Sequence, residues 1–185
     1  MDLTKLLDRA KNLVLSPAAE WQRIDGESAN PADIYQNYVI PLATIGPIAH
    51  FLGALLFMGR HISMGWALSQ MVLHFVLSVF GVFLLSQIIT LLAPSFGATR
   101  NPAQALKVAA YAFTPAWVAG VLNLLPPLSL LALLASLYSL YVLYLGLPRL
   151  MKAPPDRGLA YTVTVVICAI VVMAVLSRLV FALRF

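Results

Sequence analysis

Five long apolar stretches separated by short polar breaks set the pattern of this chain, at about 38–58, 66–93, 108–125, 128–147 and 159–183. A backbone crosses hydrocarbon only when it satisfies its own hydrogen bonds, so runs of this length predict transmembrane helices. The second, roughly 42 Å long as a helix, exceeds a hydrocarbon core of about 30 Å and is expected to tilt or project. Pro47 and Pro115, inside the first and third runs, predict bends; Pro41 is placed in a first turn, and Pro94 ends the second run. Val163, Val165, Val166 and Ile167 favour strands in water, but lipid leaves them only the helix.

The period changes upstream. Leu3, Leu6, Leu7, Ala10, Leu13 and Val14 share one helical face, and Lys5, Asp8, Arg9, Lys11 and Asn12 the other. That spacing predicts an amphipathic helix lying in the headgroup plane. Ser16-Pro17 restarts the chain with serine as cap and proline at the first helical position, and puts Glu20 in the first turn. Trp21 and Ile24 then face the membrane or the bundle, and Gly26 to Pro31 forms a polar linker. Asn101-Pro102 marks another helix start, with Gln104 as capping-box partner. Pro115 frees the carbonyl of Tyr111, which Thr114 is placed to satisfy. Ala132 with Ser136, and Ala135 with Ser139, allow a neighbouring helix to approach closely. The fold class is all-α: a polytopic membrane protein with five transmembrane helices in residues 34–185, preceded by an amphipathic segment and linker in residues 1–33.

Composition agrees. The 185 residues are 61% hydrophobic and only 10% charged, with mean hydropathy +0.89, so the bilayer is the solvent. Six of the seven acids precede residue 34, and the net charge of +5 sits in loops and ends. Such charge suits anionic lipid headgroups rather than nucleic acid. The single cysteine, Cys168, excludes an internal disulfide. Charges near the start exclude a signal-peptide core, so a mature span is expected to drive insertion. With the N-terminus in the cytoplasm, nine basic residues (Lys5, Arg9, Lys11, Arg23, Arg100, Lys107, Arg149, Lys152, Arg157) fall inside, against Arg60, Arg178 and Arg184 outside. The C-terminus is then external, and a bacterial cytoplasmic membrane is the expected location. Tyr35, Tyr38, Tyr111, Tyr141, Tyr144 and Tyr161 map near the inner boundary as an aromatic belt. Alternatively, Tyr111, Tyr141 and Tyr144 line a pocket between the third and fourth helices.

Candidate chemistry is sparse. His50 and His74 lie at a common depth of roughly 12 Å and are expected to meet across the first two helices. No carboxylate or thiolate is placed to complete a metal site with them, so a structural polar contact is expected, and no cofactor or metal. Gln70, Gln87 and Asn123 are expected to bridge helices. No phosphate loop, dinucleotide fingerprint or Gly-x-Ser-x-Gly is present.

Two motifs carry a family resemblance. Tyr111 to Pro115 reads Tyr-x-x-Thr-Pro, and Leu137 to Pro148 reads Leu-Tyr-x-x-Tyr-x-x-Tyr-Leu-Gly-Leu-Pro. With a basic linker from Lys152 to Tyr161, they resemble the Yip family of small five-span membrane proteins, named for binding Ypt/Rab-type GTPases. Ser16 to Ile24 is similar to the short prefix of its prokaryotic members. The resemblance implies the five-helix domain, with Tyr111, Thr114, Pro115, Tyr141, Tyr144, Gly146 and Pro148 as motif and packing residues. Eukaryotic members carry a longer partner-binding region before the first span than the one here. The expected function is a non-enzymatic membrane-organising or interaction protein, with lipid, a membrane-protein partner or a second copy as partners. The alternative is a small transporter or oligomeric channel, motivated by Pro47, Pro115 and the polar face Ser69, Gln70, Ser78, Ser86, Gln87 and Thr90. An intramembrane enzyme comes last, for want of a nucleophile with a base in reach.

Overall fold

Asn30 sets where the first span begins. Its side chain accepts from the amide of Ala32, and Pro31 takes the first helical position. A computed structural model describes residues 2–28, 30–58 and 63–182. The expected turn at Gly59 to His61, the outer residues Arg60 and Arg184, and the end of the last span at Leu183 lie outside the described residues. Among those described, five helices are long and apolar enough to cross a membrane: Pro31–Phe57, Met64–Phe96, Pro102–Leu124, Pro126–Leu150 and Gly158–Leu176. The protein is an integral membrane protein with an all-helical fold.

The first span is segmented: α3 (Pro31–Ile34), a π-turn (Tyr35–Val39), α4 (Ile40–Ala43) and α5 (Ile45–Met58). Pro41 is therefore in the first turn of α4 but not of the span, which starts ten residues earlier. The wide turn before it accommodates a residue with no amide hydrogen. The break at Thr44 falls one residue after Ala43, whose carbonyl the Pro47 ring would strike. Thr44 Oγ1 donates to the carbonyl of Pro41 at 2.7 Å. α6 (Met64–Leu92) ends in a 3₁₀ turn, Ala93–Phe96, at Pro94. The third span comprises α7 (Pro102–Ala112), α8 (Thr114–Ala119) and a 3₁₀ segment, Gly120–Leu124. A further 3₁₀ turn, Pro126–Leu128, leads into α9 (Ser129–Leu150), and α10 is Gly158–Ala182.

The spans share one end. The starts of α3, α7 and α10 and the ends of α6 and α9 lie on the side of the N-terminus, called here the N-side. The first and third spans cross where Gly46 meets Gly120; a Cβ on Gly120 would stand 2.8 Å from the Cα of Gly46. The hydroxyls of Ser69, Ser86 and Thr90 return to carbonyls of their own helix, and Ser78 Oγ accepts from Trp117 Nε1 at 2.9 Å. Among the described residues Gln87 reaches its neighbour Ser86 and no other helix.

Ahead of the bundle, α1 (Leu3–Leu15) and α2 (Pro17–Gly26) form a helical hairpin. Asp2, not a residue of the apolar pattern, caps α1 by accepting from Thr4 and Lys5 amides. Ser16 makes no side-chain cap bond, so Pro17 alone marks the restart. The apolar face of α1 is divided: Leu6, Ala10 and Leu13 are buried, whereas Leu3, Leu7 and Leu15 point outward. Trp21 and Ile24 are fully buried, facing the bundle. The hairpin and the spans thus share a single core, and the segment before residue 34 is part of the packed body.

Candidate functional site: a buried polar cluster under the N-terminal hairpin

Gly146 decides how the hairpin seats. A Cβ there would stand 2.8 Å from Trp21 Cδ2 and closer still to two other indole atoms, so the ring lies directly on the α9 backbone. From that position Trp21 Nε1 donates to the carbonyl of Val142 at 3.0 Å. Tyr138, one further turn along, donates its hydroxyl to Val14 O at 3.0 Å, satisfying a carbonyl in the last turn of α1. At the other end of α2, Asp25 pairs with Lys152 at 2.5 Å. Pro148 packs against Gly158 at the start of α10.

Between hairpin and bundle lies a set of charges. Arg9 Nε meets Glu20 at 3.2 Å and Arg9 Nη2 meets Glu27 at 2.6 Å. Glu20 also receives Arg23 at 3.6 Å. The guanidinium lies over the ring of Tyr111, 5.4 Å from its centroid. Burial works against the charge on Arg9, but Glu27's hydrogen bond and the charges of Tyr111, Glu27 and Glu20 outweigh it and raise its pKa. The sequence pattern assigns Arg9 to the solvated face of α1; the two carboxylates of α2 and its end draw it inward instead. Lys107 departs further from expectation. Instead of a surface charge it is buried, donating to the carbonyls of Ile24 and Glu27. An ammonium there caps the C-terminus of α2 and offsets its dipole. Arg9 and Lys107 face Glu20 and Glu27, with the exposed Arg23 at the edge, and this matching of charge is the condition for holding any of them inside.

The Tyr-x-x-Thr-Pro motif forms the floor. Pro115 ends α7 near Phe113, and Thr114 Oγ1 donates to the freed carbonyl of Tyr111 at 2.7 Å. Thr114 has only one hydroxyl hydrogen, so at the 2.7 Å contact with Tyr38 the tyrosine is the donor. Tyr38 packs edge-on against Tyr111, with ring centroids 4.7 Å apart. The break also exposes the amide of Ala116, which donates to Ser139 Oγ of α9 at 3.1 Å. Asn101 caps α7 through the amides of Ala103 and Gln104 at 3.1 Å, but the return half of the box is missing: Gln104 Oε1 is buried without a partner among the described residues. Arg9 Nη1 and the Tyr35 hydroxyl are likewise buried and unpartnered.

Of the motif residues, Tyr111, Thr114, Pro115, Gly146 and Pro148 lie at the hairpin or at a helix junction. Tyr141 and Tyr144 do not join them; both point outward from α9, 50% and 41% exposed, whereas Tyr111 is 9% exposed. The three therefore line no common pocket. A belt position fits Tyr141 and Tyr144 but not the buried Tyr38, Tyr111 and Tyr161. Tyr161 donates to the carbonyl of Ile89, tying α10 to α6. His50 and His74 do meet, with ring centroids 5.8 Å apart, on the exposed side of α5 and α6. Among the described residues no three His, Cys, Asp or Glu side chains converge on one point. Sequence reasoning missed Arg9, Glu20, Glu27 and Lys107 as a unit; the signal was six acids packed into the first 33 residues of a chain otherwise almost without them.

The chain matches the model of the Yip1 domain over residues 11–176, which takes in the residues of this site except Arg9. No curated protein and no solved structure matches the chain. The match extends from the middle of α1 to the far part of α10, and includes both motifs and most of the hairpin that seats on them; the chain belongs to the Yip1 domain family.

Proposed function

We propose that this protein is a non-enzymatic membrane-organising protein that acts as a wedge in the N-side leaflet. The observation that carries the reading is the depth of the hairpin tip. Tyr138 lies twelve residues before Leu150, the end of α9, hence about 18 Å from that end, and its hydroxyl holds Val14. α1 packs on α8, whose first residue is equally far from the start of α7. The hairpin thus enters and leaves on the N-side and reaches well into that half, adding two helices to five. At a diameter of 10–12 Å each, they add about 200 Å² of cross-section on one side only. Leu3, Leu7 and Leu15, outward on α1, then face lipid. An inclusion broader in one leaflet prefers membrane that is convex on that side. The basic residues of the N-side connections favour its being cytoplasmic, in contact with anionic headgroups.

The test is sorting between a giant vesicle and a tube pulled from it. Protein oriented with the hairpin on the outer surface should enrich on tubes as their radius falls; inverted protein should be depleted. G146A, which keeps the whole chain but unseats the hairpin, should sort less. Equal density on tube and vesicle at every radius refutes the wedge.

A further inference from the structure

A cavity of about 390 Å³ opens on the N-side, between α1, the entry to the first span and α7. Asp2, Lys5, Asn30, Asp33, Asn37 and Tyr111 are among its walls. Its charges are unevenly engaged. Arg9, also on the wall, has its charge matched by Glu20 and Glu27, with only Nη1 left unpartnered among the described residues. Lys5 lies 3.5 Å from Asp2 in an exposed pair that solvent weakens. Asp33 has no ion-pair partner among the described residues. Tyr111, nine-tenths buried and fixed between Tyr38 and Arg9, has no hydrogen bond to its hydroxyl among the described residues. The cavity therefore offers a free carboxylate, a free hydroxyl donor and a mobile ammonium at one membrane boundary.

We propose that this cavity binds a phosphoethanolamine-type zwitterion, a phosphate diester bearing a primary ammonium, presented as the headgroup of a phospholipid. Asp33 takes the ammonium, with the amide oxygen of Asn37 as a second acceptor. The phosphate takes the O–H of Tyr111 and the ammonium of Lys5. A purely anionic headgroup meets two carboxylates, Asp2 and Asp33, against one available lysine. A trimethylammonium headgroup has no N–H to donate to Asp33. Leu6 and Ile34 give the wall an apolar side for the start of the acyl chains. The cavity stands apart from the hairpin's effect on curvature, and binds or fails to bind whatever the tube experiment returns.

Dihexanoyl phosphatidylethanolamine, phosphatidylcholine and phosphatidylglycerol, titrated onto the full chain in detergent and read by native mass spectrometry, provide the test. The ethanolamine lipid should bind about tenfold more tightly than the glycerol lipid, the scale of one charge-assisted hydrogen bond. Asp33→Asn, a surface change that leaves the unliganded melting temperature in place, should reduce that preference to about twofold. Tyr111→Phe should weaken the ethanolamine lipid while keeping the ring contacts. Competition by free O-phosphoethanolamine supports a site for the headgroup alone; lipid binding without such competition supports a site that also needs the chains. Equal binding of the three lipids, or an undiminished preference in Asp33→Asn, overturns the proposal.

Discussion

Gly146→Ala is the smallest change that should undock the hairpin. The added methyl would stand 2.8 Å or less from three atoms of the Trp21 indole, a ring that is fully buried and tied to Val142 O. Neither the ring nor the α9 backbone is a flexible side-chain end, so the hairpin must lift. Overpacking of this kind costs about 1–3 kcal/mol. Lifting also strains the Trp21 bond to Val142 and the Tyr138 bond to Val14, each a net contribution of about 0.5–1.5 kcal/mol. Together these give about 2–6 kcal/mol, partly relieved if the ring finds another rotamer. At about 1.4 kcal/mol per factor of ten, the docked-to-undocked ratio should fall at least 25-fold. The assay is thiol labelling at Ile24→Cys, a fully buried position on α2, in a chain whose only native thiol, Cys168, has been replaced by serine. Labelling from the N-side should be slow in the parent and at least tenfold faster with Gly146→Ala, while overall helix content is unchanged. Equal rates would refute the seating of Trp21 on α9 as the hold on the hairpin.

The polar cluster yields three further expectations. Lys107→Met removes the ammonium from the carbonyls of Ile24 and Glu27 and leaves two buried acceptors at a helix end; it should destabilise the detergent-solubilised protein by about 1–3 kcal/mol, seen as a lower melting temperature. Thr114→Val keeps the shape but loses the bonds to Tyr38 and the Tyr111 carbonyl, and should cost about 1–3 kcal/mol, whereas Thr114→Ser should cost much less; equal losses would show that the hydroxyl is not what matters. The amide of Lys5 holds Asp2 below its ordinary pKa of 3.8, against a small opposing effect of burial. Its capping is therefore complete above that value and lost as pH falls through the lower folded value, so amide exchange at Thr4 and Lys5 should accelerate there in the parent but not in Asp2→Asn.

How much of this was legible in the sequence depends on the range of the interaction. Five spans followed from apolar length alone, because lipid admits no other backbone; the break at Pro115 and its repair by Thr114 are local and followed from the proline. The cap at Asn101 acts within three residues and followed too, whereas the one at Asn30 was read as part of a linker. The start of the first span was displaced because its first turns are polar: Asp33, Gln36 and Asn37 precede the apolar run yet are helical. The hairpin and its cluster were not legible. Arg9 reads as a surface residue until Glu20 and Glu27 are seen beside it, and Lys107 reads as a positive loop charge until α2 ends against it. Hydropathy sums over neighbours in the chain, and these partners lie 80 or more residues from Lys107, as Trp21 lies 121 from Val142. The number of rods that cross the bilayer and the places where the prolines bend them can be read from the residues alone, since each is a property of one segment in one solvent. That two further helices pack against them is visible in the folded chain alone, because it needs a bare glycine, a buried tryptophan and compensating charges from distant segments to coincide.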